Sequence, residues 1–186
     1  DNDLKILSLN RRIPLNLEIA SNYKMLNIAL KYKPKFSCIV PEKRNEITTE
    51  GGLNLKKNKK KIEFIVDKLN KKKIRTSLFI NPSLLDIKIS KNINAKCVEF
   101  HTGKISNLIK SGKKYTNEFK KIKLCCRYAK NLGLEVHAGH GMDYKTAKIL
   151  SKIPEIREFN IGHFIIGESI MNGIKKTINE FKKILK

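Results

Sequence analysis

The chain of 186 residues has no long apolar run: none approaches the roughly 18 to 20 residues that a membrane-spanning helix needs. Its first residues, DNDLKIL, do not resemble a signal peptide. The four cysteines show no CxxC spacing, which favours reduced, packed thiols and a reducing compartment. These absences predict a soluble protein located in the cytoplasm.

Acidic residues and arginine are both scarce. Lysine and arginine together number 40 against 17 acidic residues, which gives a formal net charge of +23 and raises nucleic-acid binding as an alternative function. Only six of those 40 basic residues are arginine, whereas phosphate and base recognition favours the bidentate guanidinium group. The lysine runs lie on the polar faces of predicted amphipathic helices, so we expect a solvated surface and no nucleic-acid partner.

Apolar runs and helical periods alternate through the whole chain, with no linker and no internal repeat. Ile62, Ile65, Val66 and Leu69, for example, recur at the spacing of one helix face. Such alternation is typical of a parallel α/β domain, and we expect a single domain over residues 1–186. The predicted strands are 15–19, 36–40, 74–80, 96–101, 134–138 and 157–161.

Capping residues predict where three of the helices begin. Ser21 is the expected N-cap of the helix that ends at Tyr32, and Asp143 is the expected N-cap of the helix after the fifth strand. Asn81 and Pro82 together supply an N-cap and a first-turn proline for the helix after the third strand.

Polar residues on strand faces separate two candidate architectures, a doubly wound open sheet and a TIM (β/α)₈ barrel. A central strand of an open parallel sheet is normally apolar on both faces, whereas a barrel lumen tolerates polar groups near the site. The polar strand faces favour the barrel. Six of its eight strands are present and two are lacking, which agrees with a chain shorter than the usual length of about 250 residues. The polar faces carry Asn16 and Glu18, Cys97, Glu99 and His101, and Glu158 and Asn160.

All four histidines lie within or just after the carboxyl end of a predicted strand, where barrel active sites collect. They are His101, His137, His140 and His163. For His101 and His137, a packed wall position is at least as well supported as catalysis. The gap between His137 and His140 could suit a metal, but the sequence has no HExxH pattern, so we predict no metal site.

Two carboxylates stand out as acid–base candidates. Glu18 ends the apolar run LNLEI, and desolvation in a barrel lumen would suit it to general base catalysis. A salt bridge to a neighbouring lysine is the alternative. Glu99 has the same predicted geometry and the same alternative.

Two segments are candidates for phosphate binding. Gly162 and His163 lie where the last strand turns into a predicted short helix, and free N–H groups at such a helix terminus bind anions. The loop PEKRNEITTEGG offers the hydroxyls of Thr48 and Thr49 and a glycine backbone, and we expect it to fold over the strand ends as a lid. A tight turn and an ordinary surface loop, neither with a ligand, remain the alternatives.

Read together, the segments NLEIA, VPEKRNEITTEGG, EFHTG, LGLEVHAGHG and IPEIREFNIGHFIIG resemble the pyridoxine 5'-phosphate synthase family of vitamin B6 biosynthesis. The resemblance is collinear from Asp1 to the last helix. It implies a barrel transferase that condenses 1-deoxy-D-xylulose 5-phosphate with 3-amino-2-oxopropyl phosphate into pyridoxine 5'-phosphate, phosphate and water. It also implies a cytoplasmic homo-octamer with no metal and no organic cofactor.

Position by position, the resemblance implies a role for each matching residue. Glu18 matches the catalytic base, His140 the proton donor, and Glu99 the carboxylate that stabilises the transition state. Thr48 matches a contact to the deoxyxylulose phosphate. The contacts to the aminoketone phosphate match Gly141, Gly162 and His163.

The sequence also departs from the family pattern. The family's first two strands, with a second catalytic histidine and part of one phosphate site, have no counterpart here, and His137 stands where the family usually has asparagine. We expect either a fragment of a longer chain, which the start at Asp1 favours, or a decayed gene product. The alternative function is therefore an inactive barrel fragment that acts as a basic nucleic-acid-binding protein.

Overall fold

The computed structural model describes residues 2–9, 13–42 and 51–185. The strands in these ranges are β1 (Asn16–Ala20), β2 (Phe36–Val40), β3 (Arg75–Ile80), β4 (Cys97–His101), β5 (Glu135–Gly139) and β6 (Ile156–Asn160). The helices are α1 (Asn2–Leu9), α2 (Tyr23–Tyr32), α3 (Leu55–Lys71), α4 (Leu84–Asn92), α5 (Gly103–Lys110), α6 (Thr116–Asn131), α7 (Tyr144–Leu150), α8 (His163–Asn172) and α9 (Ile174–Ile184). Over these ranges, no helix is both long and apolar enough to cross a membrane.

The six strands form one parallel sheet in which they follow one another in chain order. Asn16 on β1 donates a hydrogen bond to Glu158 on β6 over 3.3 Å, although these are the two outer strands of the sheet. In a flat sheet with strands about 4.8 Å apart, five steps would separate them by about 24 Å. The sheet is therefore curled into part of a barrel, as expected, and is not doubly wound.

The two faces of the curled sheet differ in chemistry. Outward side chains such as Ile39, Leu78 and Val98 pack beneath the helices in one continuous apolar core. The predicted apolar face of α3 is fully buried in that core, and each such aliphatic side chain contributes about 1.5–3 kcal/mol. The inward face carries polar side chains at alternating positions, which is the pattern that favoured a barrel.

Of the three predicted N-caps, one is confirmed and two are wrong. The Asp143 carboxylate accepts from the Thr146 N–H over 2.8 Å, as expected. The helix expected to start at Ser21 is capped by Asn22. Helix α4 begins at Leu84 and its cap is Ser83. The Asn81 side chain instead accepts a hydrogen bond from the Gly52 N–H over 3.1 Å.

Candidate active site

A cavity of about 700 Å³ opens at the carboxyl ends of the strands. It brings together six of the seven residues that the sequence marked for catalysis or binding: Glu18, Glu99, His140, Gly141, Gly162 and His163. The seventh, Thr48, lies outside the described residues, as do the other charged and hydroxyl side chains of residues 43–50. Residues from β1, β4, β5 and β6 and from the loops that follow them thus share one chamber.

Glu18 does not have the burial that the sequence suggested. Its side chain lines the cavity but is exposed, because β1 is an outer strand of the sheet in the described structure. Desolvation therefore cannot be the reason why this carboxylate would act as a base. Its position at the cavity wall is what keeps it a candidate.

Glu99 is the carboxylate with the buried environment. It is only 4% exposed, and Asn160 on β6 donates a hydrogen bond to its Oε2 over 2.7 Å. Burial raises the pKa of Glu99 to about 7; the hydrogen bonds from Asn160 and Cys38 oppose this rise, and the negative charge of Glu18 adds to it. Near neutral pH this carboxyl group is therefore present in both protonation states.

Small and weakly polar neighbours make room for Glu99. A Cβ atom added at Gly139 would lie 1.9 Å from the Glu99 Oε1, so only glycine fits at that position of β5. The Cys38 Sγ lies 3.5 Å from the Glu99 Oε2. Burial keeps the pKa of the Cys38 thiol well above its usual value, so the thiol remains a hydrogen-bond donor.

The loop after β5 holds His140 in a fixed and strained conformation. His140 has a positive φ of 77°, which costs a residue other than glycine about 1–3 kcal/mol. The Thr102 Oγ1 lies 2.8 Å from the Gly139 carbonyl oxygen and 2.7 Å from that of His140. The Lys110 Nζ donates to the next carbonyl, that of Gly141, over 2.8 Å. Three consecutive carbonyl groups are thus fixed by side chains of α5 and its cap.

His101 is a wall residue that packs against His140. The two rings stack with centroids 4.7 Å apart, and Phe79 contacts the His101 ring edge-on at 5.3 Å. Burial, with a smaller contribution from the charge of His140, lowers the pKa of His101 to about 4, so this ring is neutral near pH 7. Gly103 leaves room for the His101 ring, because a Cβ atom at this position would lie 2.7 Å from the His101 Cε1.

The expected helix after the last strand forms the opposite wall of the cavity. It is α8, whose N-terminal turn starts at Gly162 and His163 and has no side-chain cap within the described structure. Phe164 contacts Tyr144 of α7 with ring centroids 5.0 Å apart, which places the start of α8 beside the start of α7. Backbone N–H groups at such a terminus favour anions.

Several cavity residues were not marked from the sequence as site residues. Lys110 was missed because α5 itself was not predicted. Phe79 and Met142 were missed because an apolar residue in a strand or loop does not by itself indicate a site. Asn160 was placed on a polar strand face, but its contact with Glu99 depends on the curl of the sheet.

A second polar layer lies at the amino ends of the strands. Cys97, Glu135 and His137 offer possible metal ligands within 4.8 Å of one another. Arg75, however, already pairs with Glu135 and also with Glu158, and His137 hydrogen-bonds Glu135 over 2.8 Å. Ion pairs and hydrogen bonds account for this cluster. Among the described residues, no such ligand group includes His140.

Fold and cavity together define a class of protein: a (β/α)-barrel enzyme with carboxylate and histidine side chains and an uncapped helix N-terminus in one chamber. The comparisons with known proteins place it more narrowly. A family model described as pyridoxal phosphate biosynthesis protein PdxJ matches residues 1–186. The chain belongs to this enzyme family, as its sequence motifs indicated.

Curated relatives and solved structures agree with that placement. The chain is 64% identical to pyridoxine 5'-phosphate synthase of Pelagibacter ubique, over 99% of this chain and 77% of the relative. It is 45% identical to the enzyme of the same name from Bdellovibrio bacteriovorus, over 99% of this chain and 76% of that relative. A solved 4-hydroxy-2-oxoglutarate aldolase structure has a TM-score of 0.64 at 10% identity, over 100% of this chain and 76% of that one, which supports the fold alone.

Proposed function

We propose that this protein is a pyridoxine 5'-phosphate synthase that condenses 1-deoxy-D-xylulose 5-phosphate with 3-amino-2-oxopropyl phosphate, releasing phosphate and water. The names of its relatives support the product. The observation that carries the proposal is that Glu18, Glu99, His140 and the three backbone or histidine phosphate candidates line one cavity. A volume of about 700 Å³ also lies in the range of small-molecule sites.

The acid–base groups suit a condensation with several proton transfers. Glu18, exposed at the cavity wall, is proposed as the general base that accepts a proton from substrate. His140, fixed by its strained loop, is proposed as the proton donor. Glu99, with a pKa of about 7, is proposed to stabilise the transition state, because its buried carboxyl group can hold or release a proton near neutral pH.

The phosphate groups have separate proposed contacts. Gly141, Gly162 and His163 are proposed to bind the phosphate of the aminoketone, since they meet where α8 begins beside the loop after β5. Thr48 is proposed to contact the deoxyxylulose phosphate. No cofactor is required in this scheme, because side chains supply the proton transfers.

Assembly and location complete the proposal. We propose a cytoplasmic homo-oligomer, an octamer as the family resemblance implies. Large apolar side chains exposed near the junction of α8 and α9 support a subunit contact, because monomers rarely leave several such groups together in water. They are Ile166, Ile170, Met171 and Ile174, each more than half exposed.

The replacement Glu18→Gln tests the function. With both substrates supplied to the protein at its natural length, we expect pyridoxine 5'-phosphate from the wild type and at least about 100-fold slower turnover from Glu18→Gln, the scale of general base catalysis. Product is measured by mass spectrometry. The control is Glu63→Gln, which changes an exposed carboxylate on α3 and should leave turnover unchanged. Wild-type turnover in Glu18→Gln would refute the role of Glu18, and absence of product from the wild type would refute the reaction.

A further inference from the structure

Lys110 is a cationic side chain at the cavity that neither the family motifs nor the proposed scheme uses. It is the last residue of α5 and lines the same chamber as Gly141, Gly162 and His163. Its Nζ donates to the Gly141 carbonyl oxygen over 2.8 Å, which fixes the ammonium group beside the loop that carries His140. The position of this charge is therefore defined by a contact.

The charge of Lys110 is not neutralised by protein within the described residues. An ammonium group has three N–H donors, and Lys110 uses one of them on a neutral carbonyl. Lys104, six residues earlier on α5, instead pairs with Glu118 over 2.8 Å. Among the described side chains, no carboxylate lies within ion-pair distance of Lys110, which leaves two donors for a ligand in the chamber.

The neighbouring wall also favours an anion. The first turn of α8 at Gly162 and His163 presents N–H groups that no side chain caps in the described structure, and contact of Phe164 with Tyr144 places this turn beside the Gly141 loop. The acidic members of the chamber, Glu18 and Glu99, come from strands β1 and β4. The ammonium group of a lysine and the backbone N–H groups of a helix N-terminus both donate hydrogen bonds to phosphate oxygens, and here they line one cavity.

We propose that Lys110 binds the substrate phosphate that occupies the Gly141, Gly162 and His163 side of the chamber. Only the identity of that substrate rests on the proposed function. The binding of a phosphate group by Lys110 is a separate claim, and inorganic phosphate alone can test it.

A purely structural role for Lys110 is the competing explanation, since its hydrogen bond to Gly141 supports the loop that holds His140. Two replacements separate the roles. Lys110→Gln keeps an N–H donor for the carbonyl but removes the charge, whereas Lys110→Arg keeps the charge. Lys113→Gln is the matched control, because it removes the same charge from an exposed lysine that lines a different cavity.

The experiment is calorimetric titration of inorganic phosphate into each protein. We expect phosphate affinity to fall about tenfold in Lys110→Gln, the scale of one charge-assisted hydrogen bond, and to stay within about twofold of wild type in Lys110→Arg and Lys113→Gln. Unchanged affinity in Lys110→Gln would overturn the proposal. So would an equal loss in Lys113→Gln, because only total charge would then matter.

A second measurement needs no variant. Inorganic phosphate should slow the acetylation of Lys110 in the wild-type protein, while Lys113 reacts at the same rate with and without phosphate; mass spectrometry measures both. Equal reactivity of Lys110 with and without phosphate would overturn the proposal.

Turnover gives a third measurement. Lys110→Gln should raise KM for one phosphorylated substrate with kcat nearly unchanged, and a fall in kcat alone would indicate the loop-supporting role. Phosphate binding without any turnover would refute the proposed reaction and leave Lys110 as an anion-binding residue.

Discussion

At the scale of single residues, Glu99 illustrates how a proposed catalytic position can oppose stability. Its carboxyl group is buried among Cys38, Gly139 and Asn160, and the charges of Glu18 and Glu158 add repulsion. Burial of an ionised carboxylate costs free energy unless hydrogen bonds compensate fully, and the raised pKa shows that here they do not. The site therefore maintains a group that destabilises the fold when it is ionised.

Glu99→Gln should accordingly stabilise the protein at alkaline pH. The pKa of Glu99 is about 7 in the folded chain against an ordinary value of 4.5, so the native state holds a proton that the unfolded state has already lost between these values. Stability thus falls as pH rises through this window, by up to about 3 kcal/mol. Denaturant unfolding should show Glu99→Gln more stable than wild type at pH 8 and equal to it near pH 4.

Activity and a surface control complete that test. Glu99→Gln should lose turnover while it gains stability, because the amide cannot exchange a proton. The exposed replacement Glu63→Gln retains Glu99, so its stability should match that of the wild type at both pH values. A Glu99→Gln protein that is no more stable than wild type at pH 8 would contradict the assigned burial cost.

At the scale of secondary-structure elements, the loop between β5 and α7 depends on the cap of α5. The Thr102 hydroxyl is fully buried and contacts two consecutive carbonyl oxygens, those of Gly139 and His140. Because His140 has a positive φ, these contacts hold a conformation that the loop would not otherwise favour. The position of the proposed proton donor therefore depends on a different strand–helix unit.

Replacement of Thr102 by valine should weaken that support. Thr102→Val keeps the shape of the side chain but removes one hydroxyl proton that two carbonyl oxygens share. Because the Gly139 carbonyl still accepts from the Thr102 backbone N–H, we expect a loss of about 1 kcal/mol in the free energy of unfolding. Turnover should fall through kcat. Thr102→Ser, which retains the hydroxyl, should recover most of both quantities. If Thr102→Val matches wild type in chemical denaturation and in kcat, the hydroxyl does not hold the loop.

The elements also show which parts of the structure the sequence could predict. Strands were predicted to within one residue because each is a short segment between turn residues or helical periods. Glu99 and Asn160 on strand faces correctly indicated a curled sheet. Helix α5 was missed because its eight residues give few helical repeats between β4 and the stronger pattern of α6. Lys110 was missed with it. Exposure of Glu18 could not be predicted, since it depends on which strands flank β1.

At the scale of the whole molecule, the surface charge is spread around the barrel. Exposed lysines occur along α3, α6 and α9, which belong to different parts of the helical layer, as shown by Lys59, Lys120 and Lys182. A specific nucleic-acid site would instead concentrate arginine and aromatic side chains on one face. Within residues 2–9, 13–42 and 51–185, the exposed lysines thus do not form one basic face.

Binding of RNA should therefore be weak and indifferent to sequence. Diffuse lysines attract phosphate mainly through counterion release, so we expect dissociation constants of about 10⁻⁶ M or weaker at physiological salt, with a steep loss as salt increases. Fluorescence anisotropy with two single-stranded RNAs of equal length and unrelated sequence, each at two salt concentrations, measures this directly. Nanomolar affinity for one RNA over the other at physiological salt would make nucleic-acid binding a function of the chain. Equal and weak affinities would assign the charge to the solvated surface and separate it from the phosphate binding that is proposed for the chamber at the strand ends.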